Sequence, residues 1–162
     1  MTEEYISGYL FCISRVKDIY TKYLGGFNGF FGFEKKKTLT TKDNLLDFLK
    51  TYINNHLSKG YSYPEIKSEI TLTPILNWET SFSKLIEEWT CDKALETLNG
   101  KNGYYLSEYL ILILKDFFKE QHVLLYKINS DDSPIFWNDM MGEEYLFETE
   151  DRFYIMHFGE SS

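Results

Sequence analysis

The sequence predicts an α+β domain in which N-terminal helices pack on a C-terminal antiparallel β-meander. Three observations predict it. Apolar residues recur at spacings of three and four in several segments between residues 6 and 121. After Val123 the chain changes to short runs that read as strands. No internal repeat, low-complexity tract or Pro/Ser-rich linker divides the 162 residues, so residues 1–162 read as a single domain. Helices followed by strands is the order of the α+β class. A chain of this length buries roughly 70% of the surface its unfolded form exposes, enough for a core without a staple.

The elements follow in order. Ile6–Leu24 carries Tyr9, Cys12, Ile13, Val16, Tyr20 and Tyr23 at helical spacing, and Gly25-Gly26 stops it. Its beginning (Tyr5, Ser7, Tyr9, Phe11, Ile13) also alternates, which a strand would satisfy. Gly25–Phe33 is a turn followed by a strand, with glycines that admit a close backbone or ring. Thr40 or Thr41 caps a helix through Leu45, Leu46, Phe48, Leu49, Tyr52, Ile53 and Leu57 that Gly60 ends. Pro64 opens a short helix over Pro64–Glu69.

A further helix begins near Ser81, with Phe82, Leu85, Ile86 and Trp89 on one face, and continues toward Leu98 and the stop at Asn99-Gly100. From Tyr104 to Gln121 apolar residues nearly surround the axis. Such a helix is expected in the middle of a fold, although Leu110–Leu114 also fits an internal strand. Val123–Ile128, Ile135–Trp137, Tyr145–Thr149 and Arg152–Phe158 read as strands, with Asn129–Pro134 a turn and Glu150-Asp151 the two-residue connection of a hairpin.

Charge is the most uneven property of the chain. The formal net charge is −8, yet residues 1–128 hold 16 acids and 16 bases. Residues 129–162 hold nine acids and one base, Arg152. The same stretch contains Phe136, Trp137, Tyr145, Phe147, Phe153 and Tyr154, unlike acidic solubilising tails, which are poor in aromatics. It reads as folded and acidic together. This balance argues against general binding to nucleic acid or anionic membranes, both of which call for a basic face.

No pattern of catalytic or metal chemistry emerges. His56, His122 and His157 have no second histidine at ligand spacing, and Cys12 and Cys91 stand outside any Cys/His cluster. Two free thiols, an acidic N-terminus without a secretory signal, and no apolar run beyond Tyr109–Leu114 point to a cytoplasmic protein that does not span a membrane. The glycines of 25–32 lack the G-K-[ST] of a phosphate loop. Lys35-Lys36-Lys37 fits a solvated turn or the protection of a sheet edge. No cofactor, no metal and no catalytic residue is expected, and the chain reads as a binding protein rather than an enzyme.

In general character the sequence resembles the small acidic immunity proteins of bacterial polymorphic and contact-dependent growth-inhibition toxin systems. The resemblance is carried by length, the acid-rich aromatic C-terminal part, the absent signal, and a composition of one Ala (Ala94) beside 15 Lys and 2 Arg that is typical of AT-rich coding. No diagnostic motif carries it, so no family residue transfers to a position here. It implies a cytoplasmic inhibitor that neutralises one cognate toxin by tight binding. A nuclease is a natural target, because its substrate cleft is cationic. On this reading Asp131, Asp132, Trp137, Asp139, Glu143 and Glu144 are the expected partner contacts. The alternatives are a small-ligand or carbohydrate-binding module and an oligomeric accessory protein.

Overall fold

A computed structural model describes residues 1–21, 27–36, 49, 69–90, 105–130 and 141–160. They include helices α1 (Glu3–Thr21), α2 (Trp78–Thr90) and α3 (Leu106–Phe117). The strands are β1 (Phe27–Lys36), β2 (Thr71–Ile75), β3 (Leu124–Asn129), β4 (Met141–Glu148) and β5 (Arg152–Glu160). All pairings are antiparallel, in the order β1-β5-β4-β3-β2. The chain is therefore α+β, with the C-terminal meander β3-β4-β5 at the centre of the sheet. Both edge strands come from the N-terminal half.

The ambiguous start of the chain is helical. The Thr2 hydroxyl accepts the amide of Tyr5 at 3.4 Å, and Glu3 and Glu4 sit in the first turn, where the helix dipole favours negative charge. Ile6, Leu10, Ile13 and Lys17 then fall on one buried stripe, whereas Tyr5 and Phe11 of the alternating pattern are exposed. Ser7 Oγ donates to the Phe31 carbonyl at 2.8 Å, which ties α1 to edge strand β1. Between Gly32 and Lys35 the β1–β5 register shifts, so two residues of β1 oppose Tyr154 alone, as in a β-bulge. Lys35 and Lys36 end this edge strand.

Strand β2 is a departure from the sequence reading. Pro74 interrupts its pattern, and a proline without an N–H fits an edge strand rather than an interior one. Asn77, at φ 49°, then turns the chain into α2, which starts at Trp78, three residues before Ser81. Asparagine tolerates that left-handed conformation better than most residues. Thr80 Oγ1 and Ser81 Oγ fix the turn by donating to the carbonyls of Asn77 and Leu76.

The main core lies between the helices and one face of the sheet. Phe31, Leu125, Tyr145, Phe147, Tyr154, Met156 and Phe158 project there by strand alternation and meet Phe82, Ile86, Leu110, Ile113, Leu114 and Phe118. Phe147 is its aromatic centre, with ring centroids of Phe82 at 5.7 Å, Phe118 at 5.4 Å, and Phe31 and Trp78 both at 6.0 Å. The opposite face is buried too: Ile128, Leu146, Phe153 and Ile155 are 7% exposed or less, as are Leu49 and Ile70. Leu49 is helical. Burial on both faces explains why β5 is buried without a break from Phe153 to Gly159.

Helix α3 differs from its expectation. Leu110, Ile111, Ile113 and Leu114 are buried, but Tyr109 is 46% and Leu112 60% exposed. Its apolar girdle therefore faces the core on one side and solvent on the other. The expected elements within 40–60, Pro64–Glu69, 91–100 and Ile135–Trp137 lie outside the described residues, apart from Leu49 and Glu69.

The β4–β5 hairpin closes on Glu150-Asp151, as the spacing predicts. Thr149 N donates to the Arg152 carbonyl at 2.9 Å, while the Arg152 amide donates to Thr149 Oγ1 at 3.0 Å. A threonine hydroxyl thus takes a role that a glycine turn would leave to the backbone. Thr149→Val should lower stability by about 1 kcal/mol, read as a shift in the urea midpoint with unchanged slope.

Candidate functional site

Of the six residues expected to contact a partner, Asp131, Asp132, Trp137 and Asp139 lie outside the described residues, in the connection from β3 to β4. Glu143 and Glu144 are described, and their surroundings differ completely. Successive residues of a strand face opposite ways. Glu143 therefore faces the helices and Glu144 the other side of the sheet.

Glu144 is 0% exposed and sits across from His157, its register partner on β5, with Oε1 3.5 Å from Nδ1. His157 is also fully buried. In this fold Glu144 offers a partner no surface, so a contact role does not suit it. A buried acid beside a buried histidine reads as part of the second core face.

Glu143 is the hub of a polar cluster. One carboxylate oxygen accepts the indole N–H of Trp89 at 2.9 Å and the hydroxyl of Tyr145 at 2.6 Å. The other pairs with Lys127 on β3. Tyr145 is two residues along the same strand, so both side chains share a face, and Lys127 is the register partner of Tyr145. Trp89 lies against Phe158, with ring centroids 6.1 Å apart and planes 18° from parallel. Lys17 Nζ is 4.8 Å from the Trp89 ring and pairs with Glu160. The cluster ties α1, α2, β3, β4 and β5 together beside the start of β4, where residues 131–140 join the sheet.

Burial opposes ionisation of Glu143, but hydrogen bonds from Lys127, Tyr145 and Trp89, with the Lys127 charge, outweigh it and hold the carboxyl below its usual range. Burial, followed by the bond to Glu143 and the charge of that carboxylate, pushes the Tyr145 hydroxyl well above its usual range. A carboxylate with three donors and a depressed pKa is a poor general base at neutral pH. Its chemistry is that of a fixed anion that positions its neighbours.

The strand acids of the C-terminal part are thus tied inward. Besides Glu143 and Glu144, Glu160 pairs with Lys17, and Glu148 lies beside Tyr126, whose hydroxyl is pushed up by burial and by that carboxylate. Asp151, in the hairpin, pairs with Arg152 at 3.3 Å. Glu150 and Asp151 are exposed at one end of β4, and the connection 131–140 enters at the other. Eight strand residues separate the two ends by about 26 Å. The described acids of the C-terminal part therefore do not form one patch.

A separate concavity of about 650 Å³ opens between the β2–α2 turn and the α3–β3 connection, over Trp78, Phe118 and Tyr126. Asn77 and Glu120, both at positive φ, line its two sides. His122 lines it as well, five residues beyond the end of α3 and so outside the helix's last turn. Glu79 and Lys115 pair across the rim at 2.9 Å. The space is large enough for a small organic ligand.

The sequence reading missed Lys17, Lys127 and Glu160 as members of the Glu143 cluster. Lys17 left one signal: a lysine four residues beyond Ile13 on the buried stripe of α1 has to meet an anion. Among the described residues, no group of three or more His, Cys, Asp or Glu is placed to hold a metal ion, and no helix is long and apolar enough to cross a membrane. Cys12 is an exposed free thiol.

No family model matches the chain, and no curated protein matches it. Among solved structures it is similar to citrus MAF1, with a TM-score of 0.47 and 17% sequence identity over 93% of this chain and 99% of that chain. A likeness of that extent says nothing about what this chain does.

Proposed function

We propose that the protein is an inhibitor of the immunity type, which binds a basic protein toxin through the connection between β3 and β4. One observation supports this reading above the others. The acids on the strands are engaged within the fold, whereas Asp131, Asp132 and Asp139 belong to a ten-residue connection that contains no Lys or Arg and carries Trp137. An acidic segment with an aromatic anchor suits a cationic cleft: charge steers the encounter, and a buried tryptophan slows dissociation.

The test is co-expression with the C-terminal domain of a toxin encoded beside this gene. Wild-type protein should abolish toxicity and co-purify with that domain. The triple change Asp131→Asn, Asp132→Asn, Asp139→Asn should slow association about tenfold at low salt and flatten its dependence on ionic strength. An association rate that ignores both salt and these three substitutions would exclude the acidic connection as the interface. Continued toxicity beside the wild-type chain would exclude the inhibitor itself.

A further inference from the structure

We infer that the outer surface of α1 and α3 is a second docking face, shaped for a basic, amphipathic segment of a partner. The inference starts from the apolar residues of α3 that the core does not use. Tyr109 and Leu112 are 46% and 60% exposed, and Met1 and Tyr5 on the α1 side are each 48% exposed. Tyr109 and Leu112 are three residues apart on α3, and Met1 and Tyr5 four apart at the start of α1, so each pair lies on one side of its helix. The Tyr109 hydroxyl lies beside that of Tyr5 and holds it above its usual range. The Tyr9 ring lies 5.2 Å from that of Tyr109, and the Met1 amino group is 3.4 Å from Asp116, one turn beyond Leu112. Tyr9 also anchors the helix pair by donating to the Leu106 carbonyl at 3.0 Å.

The strip combines side chains that dominate interfaces, with tyrosine for rigid amphipathic area and methionine for adaptable contact. Charge identifies the occupant. Glu4 on α1 and Glu108 on α3 flank the strip and are exposed, while Asp116 at its end pairs with the Met1 amino group. Lys115, on the same helix, is engaged by Glu79 at 2.9 Å. A second copy of this chain would bring an identical acidic rim against the first, with a net charge of −8 on each molecule. A partner segment with Lys or Arg around an apolar stripe meets both the strip and its rim.

This inference rests on the reading of the chain as a binder of basic protein, and adds a contact face away from residues 131–140. The test is selection of a random 16-residue peptide display library on the immobilised full-length chain. Enriched peptides should carry Lys or Arg together with Leu or aromatic residues. Their affinity should fall at least tenfold for Leu112→Ser and several-fold for Glu108→Gln, both exposed positions where the fold tolerates change. Affinity should be kept by the Asp131→Asn, Asp132→Asn, Asp139→Asn variant. No enrichment, enrichment of neutral or acidic peptides, or indifference to Leu112→Ser would each overturn the inference. So would peptides lost on the triple-Asn variant and kept on Leu112→Ser, a result that would favour the acidic connection. Should the face bind such peptides while no toxin is neutralised, the toxin reading alone would fall.

Discussion

Phe147→Ala should lower the free energy of unfolding by about 3–5 kcal/mol, a large share of the roughly 5–15 kcal/mol typical of a domain. Phe147 is 0% exposed and its ring is surrounded by Phe31, Trp78, Phe82 and Phe118. These neighbours come from β1, the first half of α2, and the end of α3, so a cavity at Phe147 opens where the sheet meets two of the helices. Stacked and edge-to-face rings cannot slide inward to fill it without leaving their preferred geometry. Guanidinium titration followed by near-ultraviolet circular dichroism would measure the loss. A cost below about 1 kcal/mol would mean that the ring is not the centre of the core.

Glu143→Leu should cost about 2–3 kcal/mol at neutral pH, because it leaves the Tyr145 hydroxyl, the Trp89 indole N–H and the Lys127 ammonium without their common acceptor. The figure is set toward the lower end because the Glu143 and Lys127 side chains keep 26% and 37% of their exposure. The effect carries a pH signature. The folded pKa of Glu143 is depressed, so its stabilisation is present above the unfolded value of about 4.3 and is lost as pH falls through the folded value. The folded pKa of Tyr145 is raised, so its contribution is complete below the unfolded value of about 10 and disappears as pH rises through the folded one. Urea midpoints of wild type and variant should therefore differ most between these limits and converge toward pH 3. A gap as wide at pH 3 as at pH 7 would assign the loss to packing alone.

The sequence carries the interior strands more clearly than the edges. Val123–Ile128 and Arg152–Phe158 fall within a residue or two of β3 and β5, because apolar runs between turn residues mark strands well. Tyr145–Thr149 catches only the second half of β4, which begins four residues earlier at Met141. β2 escaped notice because Pro74 breaks the pattern, and only a position at the sheet edge makes that residue acceptable. The apolar girdle of α3 is real, but burial is decided by what packs on each side, and Leu112 stays 60% exposed. For the site, alternation alone separates Glu143 from Glu144. No local signal joins Glu143 to Trp89, 54 residues away, or Lys17 to Glu160 at 143 residues' separation. Net charge counted all nine C-terminal acids as surface, whereas tertiary pairing neutralises several of them.

Pro74 has a consequence at high concentration. An open sheet presents a row of amide donors along each border, and such a row can seed the stacking of one molecule on another. Pro74 has no N–H to donate, so β2 offers one hydrogen bond fewer than an unbroken strand of its length. A border with fewer donors is a poorer template, and molecules that meet along it have less reason to polymerise.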